Sequence, residues 1–257
     1  MSGDYDLGRY SRSITTSSAY AQRWFDCGLV WCYAFNHEEA LACFQRAAES
    51  DPNAAMAYWG IAYAVGPNYN KAWDAFEEQE RRTALKSARE AVAAGLRLTG
   101  NATPVERALV ESLQCRYQND ELAEEWSIWN DDYASAMRMV YAVHGDDLDV
   151  ACLFAEALIN RTPWALWDLA SGEPAEGADT LEAVEVLERA IAQGREAGSD
   201  PHPGLLHILI HSLEMSPHPE RALPAADRLR GLVPDAGHLQ HMPTHIDVAE
   251  VVDRELR

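Results

Sequence analysis

Three separate segments carry the same ladder of apolar residues: Ala40, Phe44, Ala47; Ala183, Leu187, Ala190; and Ala222, Ala226, Leu229. Spacings of four and then three put each ladder on one face of an α-helix. In the first and last of them a proline, Pro52 or Pro234, follows twelve positions after the opening alanine (40 to 52, 222 to 234). Small residues let two antiparallel helices approach, and large ones fill the gap between them. Proline cannot continue a helix, so it ends one and opens the next. A device repeated at such a distance predicts a chain built from stacked helix pairs.

Ahead of the first ladder stand Trp24, Gly28 and Trp31, and after Pro52 the run from Ala55 to Ala62 opens a second unit in the same register. Together these residues closely resemble the tetratricopeptide-repeat (TPR) pattern over residues 20–65 and 180–245, and in a more general way between them. The resemblance implies an all-α fold, with TPR-like antiparallel helix pairs stacked into a right-handed solenoid that has a concave groove. It implies one array over 1–257, with N-terminal repeats over 20–100 and looser helical pairs over 101–170. C-terminal repeats and a capping helix would fill 180–257. TPR arrays mostly serve as scaffolds, so the family resemblance by itself carries no chemistry.

Between the clear repeats, residues 67–82 read as an inserted loop. Thr103-Pro104-Val105-Glu106 reads as a capping box with proline at the first helical position, predicting a helix over about 104–118. A second helix is expected over about 123–143, and residues 171–179 form a polar Gly/Pro connector. No stretch alternates with period two, so essentially no sheet is expected. Trp24, Trp31, Trp59, Trp73, Trp164 and Trp167 are expected in the core and groove wall, and His202 and His218, each beside prolines, in loops.

A formal charge of −20, with no basic stripe, repels nucleic acid and anionic membrane. The apolar fraction of 47% is ample for a large core. Five cysteines (Cys27, Cys32, Cys43, Cys115, Cys152) show no Cys-x-x-Cys spacing, and three of them sit in apolar helical patterns as small hydrophobes. That usage suits a reducing compartment. The first twenty residues are polar, and the apolar or glycine run 27–35 is too short to span a bilayer. A soluble, cytoplasmic protein is expected.

Chemistry enters with the histidines. His207 and His211 stand four apart, as do His241 and His245, and the second pair follows the first by 34 positions, residue for residue (207 to 241, 211 to 245). Four-residue spacing stacks two imidazoles on one helical face, one turn apart. The repeat places each pair at the same position of successive inner helices, which in TPR proteins line the groove. Both pairs could then converge on one divalent transition metal, at metal–nitrogen distances of about 2.0–2.1 Å. His238, Glu156 and His37 are further candidate ligands; Glu214 and Glu156 are candidate proton acceptors. Imidazoles with a carboxylate suit zinc, copper or iron. His207-Ile-Leu-Ile-His211 lacks the glutamate that a zinc metalloprotease uses, which disfavours a peptidase. Pro243, inside the second pair, points to a helix that starts near Gln240 and holds the proline in its first turn.

Two functions follow as expectations. One is a metal-binding TPR protein, a metalloenzyme acting on a small molecule in the groove. The other is an adaptor that binds peptide or protein without catalysis, although the basic residues with which TPR adaptors clamp a carboxylate are replaced here by histidines. The tail over 247–256 has Val248, Val251, Val252 and Leu256 on one side. It suits a capping helix, a docking helix completed by a second copy in a homodimer, or the first helix of a repeat that this chain leaves unfinished.

Overall fold

The computed structural model describes residues 5–119 and 125–248, and they are all-helical; no strand forms among them. Two isolated bridges, Asn68 with Lys71 and Trp167 with Pro174, are the β contacts seen in these residues. The helices gather into two compact units, one of residues 11–145 and one of residues 1–10 with 146–257. The stretch 101–170, which the sequence treats as one looser region, is therefore shared between them.

In the N-terminal unit α1 (Ala19–Tyr33) is capped by Ser18, whose side chain accepts from the Ala21 amide. The turn into α2 (His37–Ser50) runs through Phe35 at φ 54°, with the Asn36 amide bonded back to the Trp31 carbonyl. Asn36 then caps α2. The sequence ladder explains itself here. Phe44 of α2 is fully buried, and its ring sits where side chains at Gly28 of α1 and Gly60 of α3 (Ala55–Ala64) would otherwise lie. Phe25 and Trp59 close around it, and Tyr63 stacks on Trp59 at 5.0 Å.

Helix α3 is apolar all round and accordingly buried, touching α1, α2, α4 (Glu78–Leu98) and α5 (Pro104–Arg116). The predicted loop over 67–82 is shorter than expected: α4 begins at Glu78, because Glu78 and Glu80 suit the positive end of a helix. The capping box at Thr103 forms as the sequence indicates, and Glu106 also accepts from the amide and hydroxyl of Thr15, both at 2.6 Å. Next, α6 (Trp126–His144) packs on α5, and Trp126 stacks on Trp73 at 4.6 Å.

The C-terminal unit holds α7 (Leu148–Ile159), α8 (Thr180–Glu196), α9 (Pro203–Leu213), α10 (Leu223–Leu229) and α11 (Gly237–His241). Along the chain α8 packs on α7, α9 on α8 and α10 on α9, and α7 also touches α9. The 171–179 connector turns through Gly172 and Gly177, both at positive φ. The tail beyond Val248, with the expected capping or docking helix, lies outside the described residues. No helix among the described residues is long and apolar enough to cross a membrane.

His202 stands just before α9, outside the helix as expected, and it is buried: its Nδ1 accepts from the Leu205 amide at 3.2 Å as the N-cap. Trp164 is no core residue: it is 53% exposed, on a backbone at φ 62° that bulky residues seldom adopt. Trp31, Trp59 and Trp73 are buried as expected, and Trp24 lies half-buried under the Arg46 guanidinium.

Candidate metal centre

The centre begins with α9. Proline at its first position and the His202 cap fix where it starts, and every residue along it is buried. His202 is itself held, because Nε2 lies 3.2 Å from Asp149 Oδ1, which also accepts from the Tyr10 hydroxyl at 2.6 Å. With Nδ1 accepting at the cap, Nε2 is the nitrogen that donates to the carboxylate. At the other end, the Trp167 indole donates to the Ser212 carbonyl at 2.8 Å, satisfying one of the open carbonyls. His207 and His211 fall in the last turns of this fixed helix, their rings 4.7 Å apart.

The facing residues come from α11, which starts at Gly237 rather than near Gln240. Pro243 therefore falls beyond the first turn. It cannot donate to the Leu239 carbonyl, so the helix is interrupted at Met242, whose own amide still donates to the His238 carbonyl at 3.1 Å. Met242 keeps helical dihedrals (φ −52°, ψ −41°), and residues 243–248 are helical again. The early start matters for the site. It brings His238 onto the helix, three positions before His241 and seven before His245, all on one face.

His207, His211 and His238 each offer a ligand atom within 4.8 Å of the others, an arrangement that can hold a metal ion. The Nε2 atoms of His207 and His238 are 3.0 Å apart. Two nitrogens on one tetrahedral or octahedral ion stand about 3–3.4 Å apart, from metal–nitrogen bonds of about 2.0–2.1 Å. Of the four histidines first singled out, His207 and His211 enter this group, and His238 completes it. His241 and His245 sit beside it, paired through their own Nε2 atoms at 2.7 Å.

Glu214 binds the neighbours together. Its side chain is only 6% exposed; Oε1 lies 2.8 Å from His211 Nδ1, and Oε2 lies 2.5 Å from His245 Nδ1, off the line of a good hydrogen bond. A carboxylate can only accept, so His211 presents N–H at Nδ1 and keeps the lone pair on its buried Nε2. Glu214 stands at the C-cap of α9, where the helix dipole disfavours negative charge. A buried carboxylate in that place requires positive charge nearby.

Burial pushes the His238 imidazole down to a pKa of about 4, and His211, His241 and His245 beside it push the same way. At neutral pH it is uncharged, the form a metal ligand must have. Trp164 closes one side, its ring set edge to face with His211 at 6.3 Å. The sequence put Trp164 no more specifically than in the core and groove wall, since its link to His211 is long-range and no helical register carries it.

Glu156 does not enter the three-histidine group. It is buried on α7 and accepts from Asn160 Nδ2 at 3.4 Å. His37 belongs to the N-terminal unit, where its ring nitrogens are buried and its pKa falls to about 4, through burial first and the Arg116 guanidinium second. His218 is exposed beside Glu220, in the loop expected for it. All five cysteines are free thiols, and none joins the group. In comparison with known proteins, the chain matches no family model and no curated protein.

Proposed function

We propose that the chain is a metal-binding protein of TPR type, whose C-terminal unit holds a divalent transition-metal ion on His207, His211 and His238. The observation that carries this is the approach of His207 Nε2 to His238 Nε2 at 3.0 Å, with His211 in the same group. One neutral imidazole can donate to the other at this distance and use one lone pair, whereas a shared cation uses both. The buried Glu214 carboxylate at the negative end of α9 supports the same assignment, because a cation offsets its charge. Three nitrogen donors suit zinc, copper or iron(II), and they leave coordination positions for water or a small-molecule ligand.

Three protein ligands and an open position are the usual arrangement of a catalytic rather than a structural ion. The ion would act as a Lewis acid toward whatever fills that position. Among the chain's own residues, Glu214 orients the imidazoles instead of serving as a free base, since both its oxygens face ring nitrogens. Trp164 offers an exposed aromatic face beside His211, against which a planar small molecule would pack.

The test is elemental analysis of protein made without a histidine tag, before and after chelation and reloading with zinc, copper or iron(II). Wild type should retain a stoichiometric ion, and His207→Ala should lose it. A wild type that takes up none of these ions would end the proposal. A protein partner bound with equal strength before and after chelation would then favour the adaptor role.

A further inference from the structure

His241 and His245 are left over by the three-histidine group. Ligands sharing one ion at about 2.1 Å can be at most about 4.2 Å apart. Neither of these two histidines belongs to the group whose ligand atoms all lie within 4.8 Å of one another. They nonetheless form a convergence of their own: their Nε2 atoms stand 2.7 Å apart, and their rings are set edge to face at 4.6 Å. This is the same relationship that His207 Nε2 has with His238 Nε2 at 3.0 Å.

We propose that His241 and His245 form a second metal-binding position beside the first, making the C-terminal unit a two-ion centre. The assignment rests on the single-ion reading above and extends it. Three further observations support it. The sites are neighbours, with 6.3 Å between the rings of His238 and His241 and 6.4 Å between those of His211 and His245. Glu214 gives one oxygen to a ring of each site, Oε1 to His211 and Oε2 to His245. It therefore holds the His211 ring by a hydrogen bond at Nδ1, as outer carboxylates do for metal-bound histidine, and sets its second oxygen against His245 Nδ1 as a charge contact. Finally, His241 is exposed, so the second position faces solvent, where water or a small anion completes the coordination of an ion held by only two protein ligands. In the ion-free protein the same contact is a hydrogen bond between the two imidazoles, which the ion replaces.

The experiment counts zinc ions per chain after chelation, reloading and removal of free metal, on the full untagged chain, with circular dichroism to verify folding. Wild type should hold two, with the solvent-facing ion released first by chelator. The double variant His241→Ala/His245→Ala should hold one, and His245→Gln, a milder change, should also hold one. Copper(II) loading gives a second readout: coupled spins in wild type and an isolated-ion spectrum in the variants. One ion in both wild type and variants would overturn the second position and leave the first intact. Two ions retained by the variants would overturn it as well, by placing the second ion elsewhere. No ion in wild type would remove both proposals together.

Discussion

Glu214 Oε1 lies 2.8 Å from His211 Nδ1, so the carboxylate holds that ring by the nitrogen that a metal would not use. A ligand ring free to spin about its Cβ bond must lose that freedom on binding. A ring already fixed loses less.

Replacing the carboxylate by an amide of the same shape should therefore weaken metal binding with little effect on folding. We expect Glu214→Gln to lower zinc affinity about 10–100-fold, the usual loss when an outer partner of a ligating histidine is removed. Competition with a chromophoric chelator measures it. An unchanged affinity would make Glu214 a bystander.

His202 ties the start of α9 to the buried Asp149. His202→Ala removes a helix cap, at a cost of about 1 kcal/mol, and leaves a buried carboxylate with one partner fewer, at a further cost of about 1–3 kcal/mol. Urea unfolding of the metal-free protein should show this loss in the transition of the C-terminal unit, and the N-terminal unit should keep its midpoint.

Phe44 makes the opposite kind of test. A Cβ at Gly60 would lie 2.3 Å from the Phe44 ring, and one at Gly28 would lie 2.7 Å from it. On helix propensity alone Gly60→Ala should stabilise α3 by about 1 kcal/mol. Packing reverses the sign, and a net loss of about 1–3 kcal/mol is expected, because the ring is enclosed and cannot step aside. Thermal unfolding that shifts upward instead would mean the helices do not pack this closely.

His37 sets a pH dependence for the N-terminal unit. Its pKa falls from 6.5 to about 4 on folding, so between these values the unfolded chain binds a proton that the folded chain does not. Stability is thus fully present above about pH 6.5 and declines as pH falls toward 4. Comparing urea midpoints at pH 7 and pH 4.5, wild type should lose about 2 kcal/mol more than His37→Gln. Equal losses would show that the folded chain protonates this ring as readily as the unfolded chain does.

The helical class was legible because the ladders report side-chain volume at helical spacing, and Phe44 between Gly28 and Gly60 shows the packing that demands it. The 34-residue echo of the histidine pairs was legible for the same reason. Less visible was the weight of His238, which depends on α11 starting at Gly237, three residues before the start that Pro243 suggested. The proline breaks one hydrogen bond without redirecting the chain, and that outcome is decided by the surrounding contacts. The start of α4 was hidden inside an apparent loop, although the acidic Glu77-Glu78-Gln79-Glu80 run carried the signal. Contacts that join Glu214 to His245, or Trp164 to His211, arise only once α9 and its neighbours are assembled.

The three histidines of the central group come from two helices with 26 residues between His211 and His238 (212–237). An ion gripping both would clasp that stretch into a closed loop, with α10 inside it. At seven residues α10 is too short to persist as a helix by itself in water. Ion supply would then govern whether this segment keeps its shape, and a protease probing the loop between α9 and α11 should cut the ion-depleted chain there first.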